Sequence, residues 1–203
     1  CMPALDGINV VEIGEGVALG YRGALLAACG ADVIKIETPG QGDAVRRLPP
    51  FAPDVPAPEA SGLHAFLSAG KSSVAINLDS PDGAALVQRL AGKADIVLDA
   101  MRPGGSADVG LGYEDLKAVA PDLIMVALSW FGADGGRRDW LGSDGVAQAL
   151  AGFIYPIGQK HGPPIIPGGY FAQITTGLTA FIATMTALIG NQAGDNGTLI
   201  DLS

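Results

Sequence analysis

Side chains that could carry chemistry are few in this chain. Gly14, Gly16 and Gly20 follow one apolar run, and Glu37 closes the next. This loosely imitates a dinucleotide-binding fingerprint. A strict match would need glycine where Leu19 stands, so a tight strand-to-helix turn, open to an anionic group, is the better reading. His64 and His161 are the two histidines and fall in no ligand spacing, so they read as surface residues and no metal is expected. Neither a Gly-x-Ser-x-Gly elbow nor a Walker loop occurs. Arg46, Arg47, Lys71 and Arg102 lie beside expected strand ends, where together they could hold a phosphorylated ligand. Taken singly, each reads as a solvated charge. Asp144 reads as a favourable charge at a helix start. Cys1 and Cys29 cannot form a disulfide framework and read as a free thiol and a small core filler.

The elements that must position these residues alternate. Strands are predicted over 8–13, 32–37, 73–78, 95–99 and 123–128, with helices over 21–29, 80–93 and 113–119 between them. Ser80-Pro81-Asp82 is a strong helix start: a capping hydroxyl, a proline at the first helical position and an acid in the first turn. Gly30 is a fitting helix stop. Residues 41–62, rich in proline, read as loop. This rhythm predicts an α/β fold, an open parallel sheet with helices on both faces. Ligands of such sheets bind at the strand carboxyl ends, here 14–20, 37–43, 77–80, 99–105 and 129–136. Two helices, 143–155 and 171–189, and a strand-like stretch 198–202 follow.

The chain has 203 residues, 48% of them hydrophobic, which excludes a disordered acidic chain and suffices for a core. A net charge of −9 argues against a nucleic-acid surface. No basic region followed by an apolar stretch opens the chain, so a cytoplasmic location is expected. From Trp140 onward the only charged residues are Asp144, Lys160, Asp195 and Asp201. That third is expected to be buried or covered by something outside this chain. Its uncharged run 162–191 is long enough to span a bilayer but is rich in Thr, Gly and Pro and has no Lys/Arg anchors, so a buried soluble helix and no membrane contact are expected.

Several segments, in order, resemble the family III CoA-transferases, a family that also holds formyl-CoA transferase, the carnitine CoA-transferases and alpha-methylacyl-CoA racemase. They are Leu5-Asp6-Gly7-Ile8, the stretch from Gly30 to Pro39, Gly42-Asp43 with Arg46, and the stretch from Gly70 to Leu78. Met101-Arg102-Pro103-Gly104, Leu111 to Leu116, Gly142-Ser143-Asp144 and Gln148-Ala149 with Gly152 continue the series. The resemblance implies a Rossmann-like large domain over 3–203, without the small domain and return segment of a full member. It also implies CoA or acyl-CoA as substrate, a carboxylic acid as second substrate, and two interlocked chains, identical or different.

The family's chemistry is carboxylate nucleophilic catalysis, in which an aspartate attacks the thioester. By the resemblance that position is Gln173, and a neutral amide cannot form the anhydride. The racemase histidine corresponds to Ser143, beside Asp144. Lys71, Asn77, Leu78, Asp79, Met101 and Arg102 correspond to the CoA-binding side. Thr38 stands where members often carry an arginine for the adenosine phosphate, a loss that Arg46 or Arg47 could offset. The expectation is a CoA-binding chain with a degenerate active site. The alternatives are a racemase-like or divergent transferase active by itself, and a structural or regulatory subunit that binds no CoA.

Overall fold

A computed structural model describes residues 3–52, 57, 59–159, 161–194 and 196–203. Cys1, Lys160 and Asp195 lie outside the described residues.

Six strands form one parallel sheet: β1 (Asn9–Gly14), β2 (Asp32–Glu37), β3 (Ser72–Ala75), β4 (Ile96–Ala100), β5 (Ile124–Leu128) and β6 (Thr198–Leu202). Their order is β3-β2-β1-β4-β5-β6, so the direction of winding reverses between β1 and β4. Alternation along each strand sorts the core into two layers. Val10, Val33, Ile96, Leu98, Ile124 and Val126 face α1 (Val17–Ala28) and, in the C-terminal part, α7 (Phe171–Gln192). Val11, Ile13, Val97 and Met125 face the opposite layer, which contains α3 (Pro81–Ala91) and α5 (Tyr113–Lys117). Shorter helices are α2 (Gly62–Leu67), α4 (Gly105–Asp108) and α6 (Asp144–Leu150).

The parallel sheet agrees with the sequence reading, and several boundaries differ. Helix α1 begins at Val17 rather than 21, because Gly16, at φ 112°, makes the turn and allows the helix to start at once. The third strand ends at Ala75, not 78, because it lies at the sheet edge and the chain bends into the Asn77–Ser80 turn. Within 41–62, Ala44–Arg47 forms a 3-10 turn capped by the Asp43 carboxylate, and α2 starts at Gly62, capped by Ser61. The helix expected over 143–155 stops at Leu150.

Of the two expectations for the last third, full burial within the described residues does not hold. Helix α7 is long and apolar enough to cross a membrane, yet it lies along α1, with Gly177, Ala180, Thr184 and Leu188 buried. Its other side exposes Ile174, Leu178, Ile182 and Ile189, and nothing in the described residues covers them. Gly177 sets the α1–α7 approach: a Cβ there would lie 2.8 Å from the Ala18 carbonyl oxygen and 3.2 Å from Tyr21 Cδ1. Such proximity brings Gln173, one turn earlier, over the start of α1.

Candidate functional site

At the carboxyl ends of β1, β4 and β5 opens a cavity of about 510 Å³. It lies where the strand order reverses, the expected ligand position in a sheet of this kind. Glu15 and Gly16 come from the β1–α1 turn, Met101 and Arg102 from the end of β4, Trp130 from the loop after β5, and Gln173 from α7. Gly14 has φ 102° and approaches β4 so closely that a Cβ would sit 2.7 Å from the Ala100 carbonyl carbon. Gly142 is under similar constraint from Trp130. Thus the glycines at this mouth keep its walls close. The N-terminus of α1 has no side-chain cap and no acid in its first turn, so its free N–H groups favour an anion there.

Asp144 organises the far wall. One carboxylate oxygen accepts from the Ala172 backbone N–H at 2.6 Å, supplying the cap that α7 lacks locally. The other accepts from Gln173 Nε2 at 2.9 Å. The Gln173 amide oxygen is the atom that a Cβ on Gly16 would meet, at 3.8 Å, so it faces the start of α1. A neutral amide suits this place because it satisfies Asp144 without setting two carboxylates side by side. Ser143 caps α6, its Oγ accepting from the Val146 N–H at 3.4 Å, and has no base beside it among the described contacts.

The other positions separate into two groups. Met101, Arg102 and Gln173 share the cavity wall. The Arg102 side chain is largely exposed and reaches Asp108. Thr38, Asn77, Leu78 and Asp79 lie beyond β2 and β3, outside that wall. Thr38 is exposed, Asn77 Oδ1 accepts from the Asp79 N–H, and Leu78 packs against the α3-side core.

Two of the expected ligand-binding cations are engaged in internal ion pairs. Lys71 Nζ donates to Glu12 Oε1 at 2.7 Å and to the Gly20 carbonyl at 2.8 Å, with its side chain 2% exposed. Glu12 lies beneath α1, where a Cβ on Gly23 would fall 1.6 Å from its Oε1. Lys35 sits in the same buried cluster, 2.6 Å from Asp43 and 3.6 Å from Glu12. Burial holds the Lys71 ammonium pKa below its ordinary value despite Glu12. For Lys35 burial also pulls the pKa down, but Glu12 and Asp43 outweigh it and leave the value raised. Arg46 forks onto Glu37 at 2.7 and 2.9 Å and also reaches Glu59, so it does not offset Thr38. Arg47 donates to the Gln41 carbonyl. The dinucleotide pattern fails for the same reason: Glu37 is occupied by Arg46, Ser73 and the Asp43 N–H. The Arg46 hydrogen bonds hold its carboxyl down at about 2.

His64 Nδ1 meets Ser68 Oγ, and burial lowers the imidazole pKa. His161 is exposed, and neither histidine lines the cavity. Trp130, within the expected strand end 129–136, lines it, as do Arg138, Asp139 and Trp140, which sequence reasoning missed. Arg138 donates to the Pro103 carbonyl at 3.1 Å and bridges the loops after β4 and β5. The paired arginines between two tryptophans, just past a strand end, were the available signal.

Comparison with known proteins agrees with this architecture. Over 203 residues the chain is 36% identical to the succinate–glutarate CoA-transferase of Agrobacterium fabrum, covering 99% of this chain and 51% of that protein. It is 34% identical to the succinyl-CoA–L-malate CoA-transferase beta subunit of Chloroflexus aurantiacus, covering 97% of this chain and 48% of that one. The chain spans about half the length of the curated relatives it matches. A crystal structure of a CAIB/BAIF family protein from Brucella suis superposes with a TM-score of 0.89 at 33% identity, covering 100% of this chain and 53% of the other. The sequence profile described as CoA-transferase family III matches residues 5–203, and the chain belongs to that family.

Proposed function

We propose that this chain is the CoA-thioester-binding half of a transferase that moves CoA between an acyl-CoA and a carboxylic acid. The observation that carries the reading is the cavity at the β1/β4 reversal with Gln173 in its wall, clamped by Asp144. Uncapped N–H groups of α1 favour the anionic thioester, and Arg102 and Arg138, each beside a carboxylate, line the same cavity. Relatives named for succinate, glutarate and L-malate point to short dicarboxylic acids.

With Gln173 at the nucleophile position, the chain binds a thioester and does not attack it. Turnover then requires a carboxylate from a partner chain, interlocked with this one and covering the exposed side of α7. Gln173→Asp tests this. In the variant, the new carboxylate attacks the acyl carbonyl, forming a mixed anhydride and releasing CoA thiolate. The thiolate then attacks the aspartyl carbonyl, leaving an enzyme–CoA thioester and the free acid. Intact mass after mixing with succinyl-CoA should rise by CoA less one water in the variant and stay constant in the unmodified chain. CoA transfer by the unmodified chain alone would overturn the inactive-half reading.

A second reading, a scaffold that binds no CoA, is favoured by the commitment of Lys71 and Arg46 to internal ion pairs.

A further inference from the structure

Beside the first cavity lies a second, of about 450 Å³, which shares Trp130, Ala147, Ala172, Thr176 and Ser203 with it. Its walls are aromatic: Phe153 and Phe171 stack at 4.7 Å between ring centroids, and Phe131 joins them. Besides the hydroxyl residues Thr175, Thr176 and Ser203, an amide and a guanidinium residue line it. Gln148 on α6 is 2% exposed, and neither its amide oxygen nor its nitrogen has a hydrogen-bond partner among the described residues. Arg137, in the exposed loop after β5, lines the same cavity, with its guanidinium over the Trp140 ring at 5.3 Å from the centroid.

A buried amide with both atoms unpaired is costly in a folded protein and calls for a partner. Among the described residues Gln148 has none, and it borders open space. We infer that the second cavity holds the far end of the acid substrate, with Gln148 and Arg137 selecting a distal carboxylate over a plain alkyl tail. The aromatic walls accommodate the intervening methylenes, the Gln148 amide turns to donate to the carboxylate, and Arg137 supplies the countercharge. Because the cavities share a wall, the reacting carboxyl can lie toward Gln173 while the distal one lies toward Gln148. This inference rests on the thioester-binding reading and extends it from reaction type to acid selectivity.

The test compares glutarate with pentanoate, acids of equal chain length that differ in the distal carboxylate. Binding of each to the full chain is measured by calorimetry with and without saturating CoA. Gln148→Met keeps the buried volume and removes the unpaired amide, so it should fold. Arg137→Gln alters only an exposed loop residue and serves as the second variant. The expected result is a preference for glutarate of about tenfold or more, reduced by either variant while CoA binding is unchanged. If CoA binds but glutarate and pentanoate bind alike, or if both variants keep the preference, this inference falls and the thioester reading stands. If CoA does not bind, the thioester reading falls, and the acid titrations without CoA decide this inference by the same criterion.

Discussion

Asp144 and Gln173 form a clamp in which one carboxylate caps a helix and orients the side chain beside the cavity. The two functions are coupled, because the Ala172 N–H that Asp144 caps immediately precedes the residue it orients. Asp144→Ala is expected to destabilise the fold by about 1 kcal/mol, in the range of lost N-caps. Urea unfolding of the two proteins checks this, and Asp144→Asn, which can still accept the Ala172 N–H, should lose less.

Helix α7 reaches the cavity because Gly177 lets it approach α1. Gly177→Val would force side-chain atoms into the Ala18 carbonyl and the Tyr21 ring. A loss of about 1–3 kcal/mol is expected from overpacking, accompanied by weaker CoA binding as Gln173 shifts. Equilibrium unfolding and a CoA titration of the same sample measure both.

Lys71 distinguishes a structural role from a ligand-binding one. Its removal leaves the buried Glu12 with Lys35, at 3.6 Å, and the buried Arg22 guanidinium farther off as compensating cations. Lys71→Ala should therefore cost about 3 kcal/mol or more in stability. Where the variant is folded, CoA affinity should be unchanged, as read by calorimetry at low temperature.

Glu37 gives the fold an acid-sensitive contact. Arg46 lowers its pKa from 4.5 to about 2. A depressed folded-state pKa contributes stability that is complete above the unfolded value and lost as pH falls through the folded one. The contribution should be whole above about pH 5 and decline from about 4.5 toward 2. Urea midpoints at pH 6 and pH 3 test this: the unmodified chain should lose more stability between them than Glu37→Gln does.

The sheet was legible because continuous apolar runs such as Val10-Val11 and Ile96-Val97-Leu98 face helical layers on both sides and leave little alternative. The strand-end rule then located Met101 and Arg102, and the resemblance located Gln173. The fate of the charges was not legible. Lys35 and Glu37 sit in a strand and Lys71 at the entry to another, and no local pattern indicates that Glu12 and Asp43 will bury one lysine and Glu12 the other. Burial of charge is decided by pairings across 59 residues of chain, as between Glu12 and Lys71. The strand-end rule reached the cavity wall after β5 only as far as residue 136, and Arg138 and Trp140 lie just beyond it in a loop with no periodicity to read. Gln148 entered the sequence reading only as part of the family resemblance, and nothing local marked its amide for burial in α6.

The most direct measurement is calorimetric titration of the purified chain with CoA and with succinyl-CoA, recording intact mass before and after. The account predicts saturable binding of both with no change in mass. No binding at millimolar ligand, or a covalent adduct on the unmodified chain, would contradict it.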